Sequence, residues 1–151
     1  MARKISRARR FLRLPAADQA LLVRSAVTLG AVRMGLWLLP HRFLRRILSA
    51  VTRREAPPRG AQAPPDRIAW AVMVASRYVP STATCLPRAL AAHVLLARSG
   101  HATQLRIGVA RGADGAFEAH AWVASGEKIL VGALPGPWRF VPLPPAQGGA
   151  L

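Results

Sequence analysis

The chain has 151 residues, one domain's worth of sequence, with 22 Lys+Arg against 6 Asp+Glu and a formal charge of +16. Its 52% apolar content supports a buried core and excludes a disordered chain despite the charge. The single cysteine, Cys85, excludes an internal disulfide framework and any zinc site built from several thiolates.

Residues 1–14 form a basic arm. The run Ser6-Arg7-Ala8-Arg9-Arg10-Phe11-Leu12-Arg13 resembles a twin-arginine signal. However, Arg24 and Arg33 interrupt the apolar stretch after it, and no small-residue cleavage site follows. From Asp18 to Leu39 the spacing predicts a helix, with Leu21, Leu22, Val32, Leu36 and Leu39 on a broad apolar face and Pro40 as its stop. No stretch reaches the ~18 uninterrupted apolar residues of a membrane span. The nearest, Ser25–Pro40, is broken by Arg33. A cytoplasmic protein is therefore expected, in keeping with a lone reduced thiol. A second helix is expected from about His41 to Arg54, with Phe43, Leu44, Ile47, Leu48 and Val51 on its apolar side.

Charge gathers in this first part. Residues 1–60 hold 14 basic and 2 acidic residues, net +12; residues 61–151 hold 8 and 4, net +4. Two readings stand. One is a basic face that meets an anionic partner. The other is a solvated helical surface written in Arg, since all basic residues but Lys4 and Lys128 are Arg, as GC-rich coding also produces. A nucleic-acid module would add exposed aromatics or a reading helix, and neither is evident, so no nucleic acid is expected. Peripheral contact with a membrane stays open.

Residues 56–65, with four prolines and a glycine, read as a linker between an N-terminal basic helical region (1–55) and a core (66–151). Asp66 is placed to cap a third helix, Ile68–Tyr78, which Pro80 ends. After the polar turn Ser81-Thr82-Ala83-Thr84, a fourth helix begins near Cys85 or Leu86 and ends at Gly100. Pro87 is tolerated in its first turn. The period then switches to two. Thr103–Val109 and Phe117–Val123 read as strands around a turn at Arg111–Gly115, and Lys128–Val131 as a third strand after Ser125-Gly126. Phe117, Ala119, Ala121 and Val123 share one face; Glu118, His120 and Trp122 share the other. The proline-rich end allows one short edge strand at Trp138–Val141. The class is α+β: helices first, then an antiparallel meander.

A thiol at a helix N-terminus followed by a His on a strand is the arrangement nucleophilic thiol catalysis needs. Thiolate is the nucleophile, and a free Cys of pKa ~8.5 is mostly protonated at neutral pH. The positive end of a helix and a nearby imidazolium both favour thiolate, which Cys85 and His120 can supply. The same residues also suit an inert core thiol and a structural strand histidine. His93 lies about 12 Å along the helix from Cys85. Neither it, His41 nor His101 has a partner at metal-ligand spacing, so no metal and no cofactor is expected.

The run from Ser81 through Cys85-Leu-Pro-Arg-Ala-Leu to Gly100 resembles the Cys-Leu-Pro-x-Ala-Leu segment of the transglutaminase-like cysteine proteases of lasso peptide biosynthesis. Leu105-Arg-Ile-Gly-Val109, Phe117-Glu-Ala-His120-Ala-Trp-Val123, Gly126 and Ile129-Leu-Val-Gly132 extend the resemblance over about residues 66–145. It implies a transglutaminase/papain-like core, with the Cys-bearing helix packed on an antiparallel sheet. It also implies a leader peptidase: Cys85 as nucleophile and His120 as general base and acid, releasing the core of a ribosomally made precursor. The implied partners are the precursor's leader, a separate winged-helix recognition protein and an asparagine-synthetase-like macrolactam cyclase. With helices expected over residues 18–54, the split type without a fused recognition domain is implied.

One departure concerns the third triad member. Some relatives carry an Asp about twelve residues after the His, and here Gly132 stands there. The orienter of His120 is then a backbone carbonyl, Gln104 or Glu127. The oxyanion donor is the Cys85 N–H, with Tyr78 or Arg77 as weaker candidates. Trp122 and Leu86 are read as lining the site or packing the core. Gly108 either admits a substrate backbone or marks a bulge, and Glu118 is expected to pair with Arg106 across the hairpin. The missing acid leaves one alternative, a non-catalytic transglutaminase-like scaffold that binds peptide in the same complex.

Overall fold

The structure, a computed structural model, describes residues 11–38, 63–78, 85–112, 115–134 and 140–143. Among these residues lie three helices and four strands. They are α1 (Ala16–Leu38), α2 (Pro65–Ser76), α3 (Cys85–Arg98), β1 (Gln104–Arg111), β2 (Phe117–Ser125), β3 (Lys128–Val131) and β4 (Val141–Pro142). The helix expected over His41–Arg54 and most of the 56–65 linker lie outside the described residues. So does the polar turn at 81–84.

Good helix formers start α1, and the Pro15 carbonyl accepts the N–H groups of Asp18 and Gln19 at 2.9 and 3.0 Å. Its inward residues are Leu22, Ser25, Leu29 and Val32. Asp18, in the first turn, is also drawn inward and forms a two-pronged pair with the Arg67 guanidinium of α2. That guanidinium holds the Asp18 carboxyl below the usual carboxylate range.

The start of α2 differs from the expectation. Its N-cap is Pro64, whose carbonyl accepts from Arg67 and Ile68 at 2.9 and 3.1 Å, and Pro65 takes the first helical position. Proline's preset φ and missing N–H suit that place. Asp66 therefore sits inside the first turn and does not cap. Its carboxylate instead meets Lys128 Nζ of β3 at 2.8 and 2.9 Å.

Residues Ala89 to Leu96 of α3 are buried in an unbroken run. A helix covered on all sides must be central. One side of α3 meets α1, where Leu29 and Val32 pack on Leu90 and Ala91. The other meets the sheet, where Ala89, Ala92 and Leu96 join Ala121, Val123 and Val131, with Ile68 and Val72 of α2 in the same cluster. The C-terminus closes as the sequence indicates. Gly100 adopts φ 76°, His101 N–H donates to the Leu96 carbonyl and Gly100 N–H to that of Ala97, both at 3.0 Å.

The sheet is antiparallel with order β3-β2-β1-β4. The β1–β2 register sets Gly108 opposite His120 and Ala110 opposite Glu118. Arg106 thus faces Trp122 rather than Glu118, and its guanidinium bonds Gln104 Oε1 at 2.8 Å. The expected Arg106–Glu118 pair does not form because the two lie four register positions apart. A bulge in β3 matches Val131 with Val123 but Ile129 with Ala124, leaving Leu130 as the extra residue. Ile129 thereby packs on one face with Trp122, Ala124 and Phe140, and Val131 on the other with Val123. An edge strand, β4, pairs beside Gly108 and Val109 but spans Val141–Pro142, sharing only Val141 with the expected Trp138–Val141, of which residues 138–139 lie outside the described residues.

Candidate active site

Cys85 is the first residue of α3, a half-buried free thiol. The N–H groups of a first helical turn have no partner within the helix, so the thiol lies at the helix's positive end. Residues 99–103 join α3 to β1, so β1 runs back along the helix. Cys85 lies about 20 Å from Arg98 at the helical rise, and Gly108 about 13 Å from Gln104 at the strand rise. No described contact joins Cys85 to His120. They come off different layers. By strand alternation His120 shares its face with Trp122, whereas α3 covers the face of Ala121 and Val123.

His120 is held on three sides. Its Nε2 lies 2.7 Å from the Gly132 carbonyl oxygen. A carbonyl only accepts, so Nε2 carries the proton and a neutral ring keeps its lone pair on Nδ1. Trp122 stacks beside the ring at 6.2 Å between centroids and 16° between planes. Phe140 tilts against it at 5.3 Å and 42°.

Of the three groups the sequence offers as partners of His120, the one in contact with its ring is a backbone carbonyl. It belongs to Gly132, the residue that stands where an acid is expected. Gly132 has φ 92°, and a Cβ there would lie 2.8 Å from the Ala121 carbonyl oxygen and from Trp122 Cβ. The position admits no side chain unless β2 moves, yet its carbonyl faces the imidazole. Gln104 is opposite Ala124, at the other end of β1, and its Oε1 is occupied by Arg106. Glu127 is exposed in the turn between β2 and β3, also at that far end. Neither is placed to orient His120. Tyr78 is exposed just beyond α2, and Leu86 packs inward against both buried clusters.

Trp122 is 2% exposed, so its role is packing beneath the imidazole. Gly108 is neither a bulge nor an approach for substrate. A Cβ there would meet Trp122 Cη2 at 2.8 Å and the Val141 carbonyl at 2.9 Å, so the glycine makes room for the indole and for β4.

Two features escaped the sequence. Phe140 closes the second face of the site, and only the chain's return beside β1 could reveal it. Arg88, one turn after Cys85, has its Nε buried without a partner. The other described histidines serve structure. His93 Nδ1 lies 3.1 Å from Thr103 Oγ1, and His101 Nε2 lies 3.0 Å from the Ala63 carbonyl. His41 is outside the described residues. Among the described residues no three His, Cys, Asp or Glu side chains converge as a metal site.

A family model described as the transglutaminase-like superfamily matches residues 26–144. The chain belongs to the transglutaminase-like superfamily. No curated protein and no solved structure matches it. The transglutaminase-like match begins inside α1 and runs past β4, so it includes both the thiol-bearing helix and the histidine-bearing strand. This superfamily includes cysteine peptidases, and the α+β order of helices followed by an antiparallel sheet is consistent with a transglutaminase-like domain.

Proposed function

We propose that this chain is a cysteine peptidase that removes the leader from a ribosomally made lasso precursor. Cys85 is the nucleophile and His120 the general base and acid. The observation that carries the reading is the 2.7 Å contact between His120 Nε2 and the Gly132 carbonyl. It supplies the orientation and tautomer control that an acid provides in a triad. It also supports this reading over a non-catalytic scaffold, whose main argument is the missing acid.

This reading requires the Cys85 thiol and the His120 ring to meet at the edge between α3 and the sheet, where Nδ1 takes the thiol proton. The thiolate attacks the scissile carbonyl, and the N–H of Cys85 at the start of α3 donates to the developing oxyanion. The imidazolium then protonates the leaving amine, which is the new N-terminus of the core peptide. The leader remains as a thioester on Cys85 until a water, activated by His120, releases it. The precursor specificity, the winged-helix recognition partner and the downstream cyclase rest on the Cys85-Leu-Pro and His120-Ala-Trp-Val resemblance.

The test is to incubate the protein with precursor and recognition protein and follow the peptide mass. The parent is expected to release leader and core. Cys85→Ala and His120→Gln are expected to leave the precursor intact. Cleavage by Cys85→Ala at the parental rate would remove the nucleophile assignment. Alkylation of Cys85 across pH adds a second readout. A dyad thiol reacts well below pH ~8, whereas a midpoint at an ordinary thiol's value would favour the scaffold.

A further inference from the structure

Among the described residues, the outward side of α1 joins none of the buried clusters, and the proposed chemistry does not use it. Val23, Val27, Gly30, Met34 and Trp37 recur at i, i+4, i+7, i+11 and i+14, which is one stripe on a helix. Val23, Val27, Met34, Trp37 and Leu38 are all exposed, Trp37 at 85%. An unbroken apolar strip of this kind on a surface needs an occupant.

Charge indicates which. At 100° per residue Arg24 and Arg33 flank the stripe on opposite sides, about 80–100° from its centre. The one acidic residue of α1, Asp18, is turned inward onto Arg67. The strip is therefore apolar at its centre, cationic at both borders and free of exposed carboxylate. It also lies within the part of the chain that carries net +12, residues 1–60. A tryptophan at one end and arginines along the edges suit the boundary between acyl chains and headgroups.

By length and composition α1 would pass as a membrane span, with a mean hydropathy of 1.4 in its best window. Its inner side argues against crossing. Leu29 and Val32 are committed to Leu90 and Ala91, and Asp18 to Arg67, so crossing would break the core. A helix apolar on both sides, with one side already packed, can lie in the interface but cannot traverse it.

We propose that the outward face of α1 docks this protein on an anionic lipid surface, with α1 parallel to the membrane. The stripe inserts at headgroup depth, and Arg24 and Arg33 contact lipid phosphates. Since α1 packs on α2 and α3 and not on the sheet, docking through its outward side leaves the sheet uncovered. The proposal is independent of the peptidase reading.

Co-sedimentation of the full-length protein with vesicles of phosphatidylcholine, with and without phosphatidylglycerol, tests it. Binding is expected with phosphatidylglycerol, weakening as NaCl is raised. Val27→Asp/Met34→Asp is expected to weaken binding at least about tenfold with the melting temperature nearly kept, because both side chains are exposed. Trp37→Gln serves the same purpose with a smaller change. Arg24→Gln/Arg33→Gln should lower affinity and flatten the salt dependence. Three results would overturn the proposal. The first is no binding to either vesicle. The second is parental binding by both Val27→Asp/Met34→Asp and Trp37→Gln. The third is a dimer in ultracentrifugation that Val27→Asp/Met34→Asp converts to monomer while the parent ignores vesicles, which would assign the face to a second copy.

Discussion

Replacing Gly132 by Ala probes the orienting carbonyl through its backbone. Gly132 has φ 92°, and an added Cβ would lie 2.8 Å from the Ala121 carbonyl oxygen and Trp122 Cβ, and 2.9 Å from Trp122 Cα. Two costs combine. Holding a non-glycine residue in that backbone region costs about 1–3 kcal/mol. The neighbouring atoms belong to the β2 backbone and a Cβ, which cannot rotate aside, so the overlap costs about another 1–3 kcal/mol. The expected total is about 2–6 kcal/mol. Gly126→Ala is the internal control: φ is 58° there, and nothing lies within 4 Å of the added carbon. It incurs only the left-handed backbone cost, about 1–2 kcal/mol. Urea unfolding followed by tryptophan fluorescence compares the three proteins at equal slope. Gly132→Ala is expected to lose at least about 1 kcal/mol more than Gly126→Ala, the difference expected from the steric overlap. Under the proposed function it should also process precursor more slowly, because relief of the overlap moves the carbonyl away from His120. Equal losses in the two variants, with equal activity, would refute the reasoning.

Two further outcomes follow from the core. Burial holds the His93 imidazole below its ordinary value, while the unfolded chain protonates near pH ~6.5. The stability that neutral His93 contributes is therefore complete above that pH and lost as pH falls below it, by up to about 1.4 kcal/mol per pH unit. Melts at pH 7.5 and 5.5 should show a smaller pH effect in His93→Leu than in the parent, and equal effects would sink the assignment. Leu29, 3% exposed between α1 and α3, should cost about 2–5 kcal/mol on truncation to Ala. Val27→Ala, on the opposite side of the same helix, should stay within about 0.5 kcal/mol. Similar losses for both would mean that α1 does not pack as described.

Local pattern made the elements legible. Gly100 marked the end of α3 because a positive φ there closes the helix with two hydrogen bonds. The alternation through Phe117–Val123 separated the face of Ala121 and Val123 from that of His120 and Trp122, since side chains of a strand alternate strictly. The start of α2 was misplaced because Asp66 has a capping side chain and Pro65 is usually a breaker. The preset φ of proline at the first helical position decided the start instead.

By itself, the sequence determined the α+β order, the thiol at a helix start, the histidine on a strand and the membership of the transglutaminase-like superfamily. These are matters of residue type, period and motif, which one dimension carries. The tertiary structure alone decided what stands beside His120. An oxygen that every residue possesses leaves no trace in composition, so the Gly132 carbonyl became a partner of His120 only when the β3 bulge and the left-handed glycine brought it to Nε2. Gly108 likewise acquired its reason only when the Trp122 ring and β4 closed on it. The two apolar sides of α1 read alike along the chain. Packing on α3 separated them, leaving one as core and the other as a surface bordered by arginine.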